Sequence, residues 1–359
     1  EKASQMTSLF TCMHQKPNRR QTAPSLSLSL NYQEIRYSNC RLHFDRHAIM
    51  TFSAPENYLQ QRQQAQQSPA EFWQQQAANI AWSKPPTTIL QQDAHGHASW
   101  FADGELNSCD LALDVHLRNG RGEQLALIYD SPVTGQVQRF TYQQLHHEVA
   151  TFAGALQNLG VGKGDRVVIY MPMIPQAAIA MLAVARLGAV HSVVFGGFSA
   201  HELAIRIDDA TPKVVVSASC GIEISRVIAY KPLLDEALSL ASHKVAHTVI
   251  FQRPQQLAEM ITPRDIDWLS CQGAVTAVDC TPVLATDPLY ILYTSGTTGK
   301  PKGVVRDNGG HAVALRYSMS AIYDCQPGDV FWAASDVGWV VGHSYILYAP
   351  LFAGCTTVV

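Results

Sequence analysis

Leu145, Val149, Phe152 and Leu156 recur at three- and four-residue steps through "TYQQLHHEVATFAGALQNLG", the spacing of one helix face. Thr141, with Gln144 three residues on, forms a capping box at its start, and Gly160 supplies a C-terminal cap. The period then changes. "RVVIY" (166–170), "AVHSVVF" (189–195) and "KVVVSA" (213–218) are short, valine-rich apolar runs, the pattern of strands covered on both faces. Between them lie "QAAIAMLAVARLG", an apolar helix ending at Gly188, and "SAHELAIRIDDA", where Ser199 and Glu202 repeat the capping-box spacing. A helix over 231–242, the strand "HTVIF" and "PLYILYTSG" extend the series. This alternation predicts an α/β fold, a doubly wound and mostly parallel sheet.

The pattern upstream is weaker. Residues 59–76 are rich in glutamine and predict solvated helix on either side of Pro69. "LALIY" and "VQRFTY" flank the turn "DSPVTGQ" and predict a hairpin. Residues 1–49 show no sustained period and hold seven Lys/Arg against three Asp/Glu. That balance fits either an organellar transit peptide, which would place the protein in the mitochondrial matrix, or upstream sequence foreign to the folded protein. The expected organisation is therefore 1–49 unassigned, 50–135 helical and hairpin, and 136–359 the large α/β domain. "CTTVV" ends the chain inside an expected strand, so the domain is expected to be truncated.

Composition narrows the function classes. A net charge of -3 offers no basic field for nucleic acid. The apolar runs are too short to span a bilayer. The 8 cysteines form no CxxC pair and no zinc spacing, which predicts reduced thiols in a cytoplasmic protein with no metal centre.

"YTSGTTGKPKGVV" (293–305) carries the candidate chemistry. Gly299-Lys300 is followed by Pro301, and the first glycine of a P-loop would fall at Thr294, so the nucleotide-triphosphatase motif fails. "GVGKGD" precedes its strand, and "GGFSAHE" lacks the dinucleotide spacing, which disfavours a nicotinamide enzyme. What remains is a turn whose backbone N–H groups, freed by glycine, converge on an anion. The hydroxyls of Ser295, Thr297 and Thr298 and the charges of Lys300 and Lys302 suit a polyphosphate. A surface hairpin with no ligand is the competing reading.

The same stretch resembles the signature loop of the adenylate-forming superfamily of acyl-CoA synthetases, luciferases and peptide-synthetase adenylation domains. "ARLGAVHSVVFGGFSAHELAIRIDDA", "YKPLLDEAL" and "SDVGWVVGHSYILYAPLFAG" are similar to the short-chain acyl-CoA synthetases. "GVVRDNGGHAVAL" and Val341, where acetyl-CoA synthetases usually carry Thr, resemble propionyl-CoA synthetase. The resemblance runs from about residue 50 to the end. It implies the N-terminal large domain of these enzymes, with the small C-terminal domain and its catalytic lysine beyond Val359, and hence an inactive fragment. It implies ATP, Mg2+ and CoA as substrates and activating ion, and propionate, or alternatively acetate, as the acid. Thr294, Ser295, Gly296, Thr297, Thr298, Gly299, Lys300 and Lys302 would hold the ATP phosphates. Trp339, Val340, Val341 and Gly342 would form the acyl pocket, against plain core packing. Arg226 would meet the CoA nucleotide, although Glu223 stands where relatives have a second arginine; a surface arginine at a helix start is the alternative. Asp336 is expected to cap a turn and His343 to pack. A shortened, non-catalytic nucleotide-binding protein is the alternative from another class.

Overall fold

The computed structural model describes residues 56–273, 275–294 and 301–359, so the expectations for 1–49 lie outside the described residues. Two helices come first, α1 (Glu56–Gln67) and α2 (Pro69–Ala77), with Pro69 in the first turn of the second, where its missing N–H costs nothing. The expected hairpin follows as β1 (Leu125–Ser131) and β2 (Gln136–Thr141), paired antiparallel. The next helix is α3 (Tyr142–Asn158). Its capping box is complete: Thr141 N–H donates to Gln144 Oε1 at 2.9 Å and Gln144 N–H to Thr141 Oγ1 at 3.2 Å.

The doubly wound core is β3 (Arg166–Tyr170), α4 (Pro175–Arg186), β4 (Val190–Val194), α5 (Ala200–Ala210) and β5 (Val214–Ala218). A small hairpin, β6 (Cys220–Glu223) and β7 (Arg226–Ala229), leads to α6 (Tyr230–Leu240), β8 (His247–Phe251) and β9 (Asp265–Asp267). β10 (Pro288–Thr294) and β11 (Lys302–Asp307) complete a seven-stranded sheet in the order β9-β8-β5-β3-β4-β10-β11. All neighbours are parallel except β10 and β11. β4 and β5 leave β3 in opposite directions, which opens a crevice at the carboxyl ends of the central strands.

Side-chain alternation explains why both faces are covered. Val167, Ile169, Val214 and Val216 enter one core with α3 and α4, whereas Val168, Tyr170 and Val215 enter the other with α5 and α6. A period of two on a strand buried on both sides reads as an unbroken apolar run. Ser199 caps α5 through Glu202 N–H, but the reciprocal half of the expected box is replaced. The Glu202 carboxylate turns to Arg206, 2.7 Å away one helical turn on.

Helix α7 (Gly309–Ala321) follows β11, and β12 (Val330–Phe331) and β13 (Thr356–Val358) join β1 and β2 in a second sheet, β12-β13-β1-β2. "CTTVV" is thus a strand, parallel to β1. No helix among the described residues is long and apolar enough to cross a membrane.

Candidate functional site

β10 and β11 pair from Pro288–Asp307 to Thr294–Lys302, where the ladder stops. Ser295, Gly296, Thr297, Thr298, Gly299 and Lys300, next in the sequence, lie outside the described residues. Thr294 and Lys302 face each other at the end of the ladder, both exposed. Directly behind, Tyr293 is buried, and its hydroxyl donates to Asp209 Oδ2 of α5 at 2.5 Å. Burial, that hydrogen bond and the Asp209 charge push the Tyr293 hydroxyl well above its ordinary pKa.

Beside this root runs the loop after β4, Phe195–Ser199. Tyr170 Oη donates to Phe198 O at 3.0 Å, and the Tyr170 ring stacks on Tyr230 at 4.9 Å. Gly196 is required by contact: a Cβ there would sit 2.0 Å from the Tyr230 hydroxyl. Trp339 meets this loop, its ring 5.6 Å from Phe195 and 6.2 Å from Phe198. Trp339, Val340 and Val341 stand half-exposed on a turn.

That turn is closely held. Gly338 N–H donates to Asp336 Oδ1 at 2.6 Å, so Asp336 caps it as expected, and Trp339 N–H donates to Asp336 O at 3.0 Å. A Cβ on Gly342 would lie 1.9 Å from Asp336 O, which only glycine avoids. Burial raises the Asp336 carboxyl, against the Gly338 hydrogen bond. His343 begins the next segment, the π-helix Gly342–Tyr348. Its backbone N–H reaches Trp339 O at 3.0 Å and its Nδ1 lies 3.1 Å from the same oxygen. The ring is fully buried, stacked 5.4 Å from His191, and burial pushes it down to about 4. It is a packed, neutral anchor for the Trp339 turn.

Arg226 opens β7 rather than a helix, because Glu223 and Arg226 are paired across a two-residue turn. Both are exposed. The hairpin follows β5, so Arg226 shares the carboxyl edge of the sheet with the other two stretches, and the Tyr230 ring packs under Gly221. Thr294, Trp339 and Arg226 thus come from loops at one end of the same parallel strands.

Sequence reasoning missed a buried ionic group away from this edge. Arg186, at the end of α4, donates to Asp114 Oδ2 and Oδ1 at 2.8 and 2.9 Å, to Val278 O at 2.6 Å and to Cys109 Sγ at 3.6 Å. His146 Nε2 lies 3.0 Å from Asp114 Oδ1. Burial alone would raise Asp114, but the His146 and Arg186 hydrogen bonds hold it well below the usual carboxylate range. The Cys109, Asp114 and Cys280 ligand atoms lie within 4.8 Å of one another. The guanidinium already holds both carboxylate oxygens, so the group suits a structural ion pair better than a metal. No local motif signals it, since its members come from four separate segments.

Comparison with known proteins gives a consistent picture. Residues 116–359 match the AMP-binding enzyme family and residues 58–112 the acetyl-coenzyme A synthetase N-terminus. An uncharacterised protein of Pseudomonas aeruginosa is 63% identical over 301 residues, covering 84% of this chain and 48% of that protein. The human acyl-CoA synthetase short-chain family member 3, mitochondrial, is 53% identical over 291 residues, 81% of this chain and 42% of its own. The acetyl-coenzyme A synthetase of Yersinia pestis is 47% identical over 318 residues, 87% of this chain and 48% of its own. Among solved structures, acetoacetyl-CoA synthetase from Streptomyces lividans matches with a TM-score of 0.75 at 26% identity, over 82% of this chain and 45% of that one. The chain spans about half the length of these relatives.

Proposed function

The chain belongs to the AMP-binding enzyme family, and on that premise we propose that the full-length protein carrying it is an AMP-forming short-chain acyl-CoA ligase that prefers propionate. A carboxylate oxygen attacks the α-phosphorus of ATP to give acyl-adenylate and pyrophosphate. The CoA thiolate then attacks the acyl carbon and AMP leaves. The first step brings two anions together, so positioning and charge stabilisation carry most of the work. The turn 294–302 receives the β- and γ-phosphates through its amides and hydroxyls and through Lys300 and Lys302. Mg2+ enters with the triphosphate as part of that substrate. Trp339, Val340 and Val341 receive the alkyl group, with Gly342 keeping their turn tight. Arg226 meets a CoA phosphate, weakened by its neighbour Glu223. A carboxylate is already ionised at neutral pH, so this step needs no general base. The buried, neutral His343 serves none.

One observation supports this reading above the others: the β10–β11 ladder ends, at Thr294 and Lys302, at the same end of the parallel strands as the Phe195–Ser199 loop on which Trp339 packs. Val341 favours propionate because it offers no hydroxyl, and an apolar wall separates substrates one methylene apart by ~1–3 kcal/mol. The test is carboxylate-, ATP- and CoA-dependent release of AMP by the full-length protein, with acetate, propionate and butyrate compared by kcat/KM. Propionate is expected to lead, and the 359-residue chain alone to be inactive. Release of AMP with none of these acids, or a lead for acetate, would overturn the respective half of the proposal.

A further inference from the structure

Four cations are buried among the described residues, and three of them hold carboxylates: Arg186 on Asp114, Arg206 on Glu202, and Lys231 on Asp235 and Asp265. The fourth, Arg253, stands just past β8 and is 7% exposed. Its backbone N–H donates to Ser219 Oγ at 2.8 Å and its Nη1 to Cys220 O at 2.9 Å. No ion pair joins it to an acid among the described residues. One neutral carbonyl does not balance a desolvated guanidinium, and it leaves most of that group's N–H donors unused.

Arg253 borders a cavity of about 220 Å³. The walls come from the β1–β2 hairpin (Tyr129, Pro132), the loop after β3 (Met173, Ile174) and Ile222 of β6, all apolar side chains. β3, β5 and β8 present their carboxyl ends here, the edge at which open α/β sheets receive ligands. Asp130, the one acid on the wall, is exposed and not paired with Arg253. None of Arg226, Trp339, Val340 and Val341 borders the cavity.

We propose that Arg253 and this cavity bind a small monoanion, a carboxylate on a short alkyl body, at a site separate from the Trp339 turn. A single unbalanced positive charge matches a single negative one. A phosphate dianion would call for a second cation, and the wall offers Asp130 instead. The planar guanidinium meets a carboxylate edge-on through two parallel hydrogen bonds. The apolar walls take the alkyl body. The volume equals about seven waters at ~30 Å³ each, enough for an acid the size of butyrate. The site stands apart from the ligase reading, which makes no use of Arg253.

Met173 supplies a local probe, since it lines the cavity and its Sδ accepts the Val337 N–H at 3.2 Å. The full-length protein is labelled at its methionine methyl groups, Met173 is assigned with Met173→Leu, and sodium butyrate is titrated while the methyl resonances are followed by NMR. Full length matters because Val359 also borders the cavity. The Met173 resonance is expected to shift and saturate. Arg253→Leu should weaken the apparent Kd by at least about tenfold, and Arg253→Lys, which keeps the charge, by less. Asp130→Asn alters an exposed side chain, is expected to fold, and should tighten butyrate binding by removing a like charge. Inorganic phosphate and CoA should not displace butyrate. Absence of a saturable shift would overturn the proposal, including the case in which chain beyond Val359 fills the cavity. A shift that persists unchanged in Arg253→Leu would place butyrate at the Trp339 turn and overturn it too. So would weaker binding in Asp130→Asn, or displacement by phosphate or CoA, which would make this a phosphate subsite.

Discussion

Lowering the pH from 7.5 to 5 should cost the folded protein about 6 kcal/mol through the buried histidines His116, His311 and His343, with His191 adding in the same direction. His116, His191, His311 and His343 are each less than a tenth exposed. Burial is the first cause of depression in each: His116 and His343 fall to about 4, His311 to about 3, and His191 well below its ordinary value. In the unfolded chain each titrates near ~6.5. As pH falls through that value the unfolded chain takes up protons that the folded chain refuses. The stability these groups contribute is therefore complete above about 6.5 and is lost as pH falls towards the folded values. At pH 5 each is about 1.5 units below its unfolded value, at about 1.4 kcal/mol per unit, which gives about 2 kcal/mol each. For His116, His311 and His343 the figure hardly depends on the folded values, because these three lie below 5. Three such groups already fall within the ~5–15 kcal/mol that holds a typical domain. Asp114 and Asp265, held low against burial by hydrogen bonds from His146 and Arg186 and from Arg264, act only below about pH 4, outside this window. The assay is the urea midpoint of the full-length protein between pH 7.5 and 5, repeated for His311→Leu and His343→Asn. Each variant should bind about one proton fewer on unfolding and flatten the slope. A midpoint constant across the range, or variants with the wild-type slope, would refute the reasoning.

Three further outcomes follow from the same contacts. Arg186→Met leaves the largely buried Asp114 carboxylate with His146 as its remaining side-chain partner and should cost about 3 kcal/mol, whereas Arg186→Met with Asp114→Leu should recover most of it; a double variant less stable than the single by thermal melting would contradict this. Gly342→Ala places a methyl against Asp336 O and should lower stability by about 1–3 kcal/mol and raise KM for the carboxylate, and an unaffected enzyme would show that the turn relaxes freely. Val341→Thr should move the propionate-to-acetate ratio of kcat/KM towards acetate by up to about tenfold, and a ratio that does not move would exclude this residue from acid selection.

The large sheet was legible because its strands are buried on both faces and its helices on one. Val167 to Tyr170 and Val214 to Ala218 read as unbroken apolar runs, while Leu145, Val149, Phe152 and Leu156 keep the helical interval. The second sheet was largely hidden. Its first two strands announce themselves as a hairpin, but β12 is two residues long and β13 three, and the partner of β13, β1, lies some two hundred residues upstream. Pairing at that separation leaves no local period. The second capping box failed for a related reason. The spacing of Ser199 and Glu202 permitted the reciprocal bond, but Arg206 stood one turn along and a charged partner is the stronger one.

The candidate site is marked in the sequence where unusual residues stand in a row, and unmarked where contacts come from ordinary residues of distant elements. Glycine, hydroxyl and lysine crowded between Thr294 and Lys302 form a run unusual enough to draw attention by itself. Gly342 in the Trp339 turn carries information of the same kind, since a methyl there would collide with backbone. Arg206 and Asp209 carry none, because on a helix face with charges on it, an arginine and an aspartate are what solvent alone would select. Their difference lies in burial and direction: Arg206 points inward between two rings and Asp209 meets a buried hydroxyl. The same sequence with Tyr293 turned outward would leave that guanidinium without its second ring and that carboxylate in water. The contact between Tyr293, Arg206 and Asp209 is thus a property of how α5 docks on β10, not of the motif that follows β10.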